Sequence, residues 1–205
     1  MAIPKETLSL NEGWKYTASD GSEAADLRNW HNAQPLPTSI HLDLLANGSI
    51  PDPFPAKNEQ LVQWAGKKTW IYEKQFTVPS QLLRNLTRMV VLVFEGLDTY
   101  TTVTLNGKII LETDNMFLSH RVDITDQVRS TQTAENETHT LRITFHSAEQ
   151  KAVEEMEKHP EQSWFSFHFG NKRLAVRKAQ YHFVCIIELV PLHFVHCLRR
   201  ITDQS

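Results

Sequence analysis

Thr99-Tyr100-Thr101-Thr102-Val103-Thr104-Leu105-Asn106-Gly107-Lys108-Ile109-Ile110-Leu111 is the stretch that decides the fold class. Two β-prone runs flank Asn106-Gly107, and both residues of that pair tolerate the positive φ angles of a type I′ turn. The stretch therefore predicts a hairpin. Working outward, Met89 to Phe94 is a continuous valine-rich run, the pattern of a strand buried on both faces. Before it, Trp70, Tyr72, Phe76 and Val78 alternate with Glu73, Gln75 and Thr77, the period of a half-buried strand with Lys74 as its one exception. On the other side, His120 to Thr125 carries Val122 and Ile124 on one face, and Leu141, Ile143 and Phe145 alternate in the same way. Five or six strands joined by short turns predict an all-β, jelly-roll-like antiparallel sandwich.

Helices are expected only at the flanks. Ile40 to Asn47 fits a short one, with Thr38 or Ser39 as N-cap and Gly48 beyond its end. Ser147 and Gln150 have capping-box spacing and open a helix through Lys158, which Pro160 ends. The charges Glu149, Lys151, Glu154, Glu155 and Glu157 read as its solvated face.

The 205 residues fit one large domain, and 40 % apolar with 22 % charged side chains is ordinary for a chain with a real core. With 21 basic and 24 acidic side chains the net charge is −3, which argues against a nucleic-acid binder. No run of apolar residues is long enough for a membrane span. The opening Met1 to Glu6 lacks the pattern of a secretory signal, so a cytoplasmic protein is expected. On that reading the sequons at Asn47, Asn85 and Asn136 are accidental, although a secreted product would make them matter.

Seven glycines and no Gly-rich phosphate loop leave no nucleotide motif, and no cofactor is expected. His193, His196 and Cys197, with Cys185 upstream, offer soft metal ligands without the paired spacing of established zinc sites, so no metal site is assigned. Trp14, Trp30, Trp64, Trp70 and Trp164 are read mostly as packing residues, with sugar stacking as the functional alternative. Phe183 to Leu198 is almost wholly apolar yet has neither strand alternation nor a helical stripe.

The ordered set Pro51-Asp52-Pro53-Phe54, Asn58-Glu59, Trp64, Trp70-Ile71-Tyr72, Phe94 to Thr99, Val103-x-Leu105-Asn106-Gly107 and Asp114-Asn115-Met116-Phe117 resembles the N-terminal sandwich of β-mannosidases in glycoside hydrolase family 2. Arg173 to Phe183 is similar to the fungal intracellular type. The resemblance implies a galactose-binding-domain-like sandwich over residues 1–183. It also implies a role in hydrolysing terminal non-reducing β-D-mannose, with a β-mannoside oligosaccharide as partner and no nucleic acid or membrane. In that family Gly-Trp-Asp-Trp-Gly-Pro follows the Gln-Tyr-x-aromatic segment; here Val184-Cys185-Ile186 stands instead. Residues 184–205 are accordingly read as an aberrant tail of foreign sequence, and the sandwich is expected to lack its proper C-terminal closing strand.

The family's two catalytic glutamates come from a barrel domain, so no residue here is given a catalytic role and the chain alone is expected to be inactive. By the same resemblance Arg177, Lys178, Gln180 and His182 lead toward the substrate subsite, where they could hydrogen-bond sugar hydroxyls. A surface or inter-domain ion pair is the competing role for Arg177 and Lys178. Asp114 to Phe117 is a second candidate loop, with strand-end packing as its competing role. A stand-alone lectin-like module is the alternative function, and a non-functional truncated product a third.

Overall fold

The structure, a computed structural model, describes residues 7–19, 25–55, 57–79, 89–130, 137–159, 194–195 and 198–204. Its centre is the strand β5 (Trp70–Thr77), which hydrogen-bonds β2 (Lys15–Ala18) on one side and β10 (Thr138–Phe145) on the other. Beyond β10 lie β7 (Thr101–Leu105) and β8 (Lys108–Thr113), and β3 (His31–Asn32) borders β2, giving an antiparallel sheet in the order β3-β2-β5-β10-β7-β8. A second sheet runs β1 (Thr7–Leu8), β12 (Leu198–Gln204), β6 (Met89–Phe94) and β9 (His120–Asp123). A short pair joins β4 (Thr38–Ser39) to β11 (Phe194–Val195).

Alternation places the core between the two large sheets. Tyr72, Phe76, Val103, Leu105, Leu141, Ile143 and Phe145 face inward from the first, and Val90, Leu92 and Phe94 meet them from the second, in one buried cluster. Val91 is buried as well, so β6 is covered on both faces, as its unbroken apolar run predicts. Lys74 breaks the alternation of β5 because its ammonium donates to the carbonyl of Glu12. Partial burial holds that amine below its ordinary pKa.

The hairpin forms as its sequence predicts. Asn106 has φ 50° and Gly107 φ 82°, the two left-handed residues of a type I′ turn. Asn106 also reaches past its own hairpin. Its N–H donates to the Thr140 carbonyl at 2.9 Å, its Oδ1 accepts from the Thr140 N–H at 2.9 Å, and its Nδ2 lies 3.1 Å from His139 Nδ1. The turn is thereby clipped to β10.

Helix α1 (Ile40–Ala46) starts at Ser39, whose Oγ accepts from the Leu42 N–H at 3.3 Å. Its fourth residue, Asp43, is wholly buried. The carboxylate accepts from the Tyr72 hydroxyl at 2.6 Å, the Gln34 N–H at 2.7 Å and the Thr38 hydroxyl at 3.0 Å. The Asp43 carbonyl accepts from the Tyr16 hydroxyl at 3.2 Å. One residue thus ties the helix to β2, β4 and β5. Burial raises the Asp43 carboxyl above its usual range, against the lowering effect of its three donors. Burial also pushes the Tyr72 hydroxyl up, and the adjacent carboxylate adds to the rise.

Further helical turns lie beyond those the sequence predicts: 3₁₀ turns at Ala25–Arg28 and Gln63–Lys67, α2 (Asn58–Leu61), and α3 (Thr125–Ser130), which ends β9 at Asp123 rather than Thr125. Helix α4 (Ala148–Lys158) begins at Ser147, whose Oγ accepts from the Gln150 N–H at 3.3 Å. The reciprocal bond of a capping box comes from Thr69, whose Oγ1 accepts from the Ser147 N–H at 3.3 Å.

The closing position of the second sheet is taken by residues of the tail: β12 pairs with β6 from Leu198↔Phe94 to Gln204↔Met89, with one register shift. The physical reason is that β6, interior to the sheet, needs main-chain partners along both edges. The packing role assigned to the tryptophans holds for Trp14 and Trp70, which are buried, and for Trp64, which packs partly exposed against the core. Trp30, 43 % exposed, is the exception, consistent with a packing role for most of them rather than all. Trp164 lies outside the described residues.

Candidate functional site

Arg177, Lys178, Gln180 and His182 lie outside the described residues, as do Cys185, His193, His196 and Cys197. Among the described residues there is no group of three His, Cys, Asp or Glu side chains able to hold a metal ion. Nor is any described helix long and apolar enough to cross a membrane.

The second candidate, Asp114 to Phe117, is described. It belongs to the connection from β8 to β9, and the connection from β6 to β7 runs beside it through residues 95–100. Both cross from one large sheet to the other at the same end of the sandwich, where Thr101 pairs with Thr113 and Phe94 with His120.

Threonines secure the foot of the loop. Thr113 is buried, and its Oγ1 donates to the Thr99 carbonyl at 2.9 Å and lies 2.7 Å from Thr101 Oγ1. At the other foot Ser119 Oγ donates to the Glu95 carbonyl at 3.0 Å, stitching the two connections together. Between the feet Asn115 Oδ1 accepts from the Phe117 N–H at 3.0 Å, an Asx turn. This turn holds Phe117 outward with 63 % of its surface exposed, and Leu118 is 52 % exposed.

Behind the loop, the Tyr100 carbonyl accepts from the His146 N–H at 2.9 Å, and His146 Nε2 lies 2.9 Å from Thr102 Oγ1. Burial lowers the His146 pKa and Lys151 lowers it further, so the imidazole is biased toward its neutral form. Burial raises the Tyr100 hydroxyl, with Glu155 and Asp114 adding to the rise. An exposed aromatic face beside the carboxylate of Asp114 and the amide of Asn115 suits a polyhydroxylated ligand. Such a ring can stack on C–H surfaces while such polar groups bond hydroxyls.

The motif Asp114-Asn115-Met116-Phe117 marks this loop in the sequence, but its anchors Thr113 and Ser119 do not stand out there. β8 carries no clear alternation that would mark Thr113 as inward-facing. Ser119 acts only through a partner 24 residues away and leaves no local signal.

Comparison with known proteins fits this architecture. The family model described as "Glycosyl hydrolase 2 galactose-binding domain-like" matches residues 14–185. Beta-mannosidase B of Thermothelomyces thermophilus is 41 % identical over 179 residues, which is 87 % of this chain and 19 % of the relative. Beta-mannosidase B of Emericella nidulans is 42 % identical over 173 residues, 84 % of this chain and 19 % of the relative. The crystal structure of a β-D-mannosidase from Dictyoglomus thermophilum superposes with a TM-score of 0.74 at 31 % identity, covering 98 % of this chain and 22 % of that one. The chain thus spans about one fifth of the length of these relatives. With the family model matched over residues 14–185, the chain belongs to the glycosyl hydrolase 2 galactose-binding domain-like family.

Proposed function

We propose that this chain is the N-terminal domain of a β-mannosidase, an enzyme that hydrolyses terminal non-reducing β-D-mannose from β-mannosides. The observation that carries the reading is the 41 % identity with a fungal Beta-mannosidase B, sustained over 87 % of the chain. Its ligand is a carbohydrate. The rigid Asp114 to Phe117 loop supplies an aromatic face and polar groups to the sugar, and Arg177, Lys178, Gln180 and His182 bond its hydroxyls.

Retaining hydrolysis needs an acid/base carboxylate and a nucleophilic carboxylate about 5 Å apart across the glycosidic bond. On this reading both belong to the portion of the relatives that this chain does not span. The domain orients the terminal sugar and does not itself transfer a proton.

A chimera tests the proposal. Residues 1–183 replace the corresponding domain of the Thermothelomyces thermophilus Beta-mannosidase B, and release of p-nitrophenol from its β-mannoside is followed. The chimera is expected to turn over and the 205-residue chain alone to be inactive. A folded chimera without β-mannosidase activity, or turnover by the chain alone, overturns it.

A further inference from the structure

The described residues hold two Asn-Gly pairs: Asn47-Gly48 closes the C-terminal end of α1, and Asn106-Gly107 turns the β7–β8 hairpin. An Asn-Gly bond can react with itself. The deprotonated glycine nitrogen attacks the asparagine Cγ, a C–N bond forms, and ammonia leaves with the side-chain nitrogen. Water then opens the resulting succinimide at either carbonyl, leaving aspartate or isoaspartate. No oxidant or second reactant besides water is required.

Exposure does not distinguish the two pairs, since all four residues are exposed. Nor does steric room, because a Cβ at Gly48 or Gly107 would meet nothing within 4 Å. Hydrogen bonding does. At Asn106 the side-chain Oδ1 is held by the Thr140 N–H at 2.9 Å and Nδ2 faces buried His139 Nδ1 at 3.1 Å. With Oδ1 accepting from Thr140, Nδ2 is the donor to His139, so that ring nitrogen is unprotonated. Burial lowers the His139 pKa and favours this neutral ring. Asn106 therefore cannot swing its Cγ onto Gly107 without leaving β10.

At Asn47 the side-chain Nδ2 donates to Ser49 Oγ at 3.0 Å, and that bond is exposed. The attacking nitrogen of Gly48 donates to the Leu45 carbonyl at 3.0 Å in the last turn of α1. Helix ends fray, whereas a turn pinned to the interior strand β10 opens only with its sheet.

We propose that Asn47-Gly48 is a site of spontaneous isoaspartate formation and that Asn106-Gly107 is protected from it by the His139–Thr140 clip. The product has a structural cost. It sets a carboxylate at the C-terminal end of α1, where the helix dipole is negative and the last turn carries no basic residue. It also removes the asparagine of the Asn47-Gly48-Ser49 sequon.

The two sites fall in separate tryptic peptides, residues 29–57 and 89–108, so one digest reads both. The folded 205-residue chain is held at pH 7.4 and 37 °C. Each peptide is then assayed for deamidation by mass and for isoaspartate by isoaspartyl methyltransferase labelling. Asn47 is expected to react at least about tenfold faster than Asn106, since opening the clip sacrifices two additional hydrogen bonds. In denaturing urea the two rates converge. His139→Ala, checked for folding by circular dichroism, raises the Asn106 rate while leaving that of Asn47 unchanged. Equal rates in the folded chain, faster reaction at Asn106, or a rate gap that persists in urea overturns the proposal.

Discussion

The molecule holds two polar constructions that resemble each other in sequence and differ in physics. One is Asp43 with Gln34, Thr38, Tyr72 and Tyr16; the other is Asp114-Asn115 with Thr113 and Ser119. The Asp43 carboxylate is sealed from solvent and has three donors aimed at it. Its energy lies in fold specification, because each donor would be costly to leave unmet in the interior. In the loop one foot, Thr113, is buried, the other, Ser119, bonds the Glu95 carbonyl at the surface, and the tip is left to solvent. Fixed feet and an open tip make a surface that can bind without reorganising. A carboxylate therefore says little by itself; the donors around it decide whether it builds or binds.

Removing the Asp43 carboxylate is the hardest test of that contrast. Asp43→Ala strands the Tyr72 hydroxyl, the Thr38 hydroxyl and the Gln34 N–H. It is expected to cost about 3–5 kcal/mol, read as a urea midpoint shift. Asp43→Asn keeps the shape of the protonated carboxyl and is expected to cost far less. Since burial raises the folded pKa above the unfolded value of about 3.9, the folded state holds the proton more tightly. The carboxyl's contribution is full below the unfolded pKa and is lost as pH rises through the folded one. The stability of the native chain relative to Asp43→Asn should therefore fall as pH rises from about 4, then level off. A difference independent of pH would show that folding leaves the pKa of the Asp43 carboxyl unchanged.

The clip at Asn106 sits between the two extremes, exposed at its backbone and buried at its partner. Asn106→Gly retains the positive φ and loses only the side-chain bonds to His139 and Thr140, so about 1–2 kcal/mol is expected. Asn106→Ala should lose about 1 kcal/mol more, because a Cβ is strained at φ 50°. Denaturant midpoints at constant slope separate the two. Equal losses would mean that the backbone conformation of the turn contributes nothing.

What could be read in advance was whatever depended on neighbours in the chain. The Asn106-Gly107 turn and the alternation of Trp70, Tyr72 and Phe76 encode geometry that acts over a few residues, and both appear as expected. Lys74 looked like an irregularity because its partner, the Glu12 carbonyl, lies 62 residues away. The four residues of β2 are too few to show a period, and their identity as a strand comes from β5. Asp43 shares one helical face with Ile40 and Leu44, and that spacing places it inward, but its donors are distributed from residue 34 to residue 72 and leave no local signal. The loop at Asp114 is legible as a motif, while its anchoring to the Thr99 and Glu95 carbonyls is not.

The smallest effect on folding should come with the clearest effect on binding. Phe117 is 63 % exposed, so Phe117→Ala is expected to change the stability of the chain by less than about 0.5 kcal/mol. If its ring stacks on the sugar, the same substitution in the chimeric β-mannosidase removes about 1 kcal/mol of aromatic contact and raises KM about fivefold. An interaction made equally with substrate and transition state leaves kcat unchanged, so the split between KM and kcat reports whether the ring only holds the sugar. Asn115→Ala supplies the complement: it releases the Asx turn that aims the ring, and should give a weaker version of the same KM effect with Phe117 intact. A loss of stability with unchanged KM would place Phe117 with the Asp43 group, as a residue that builds rather than binds.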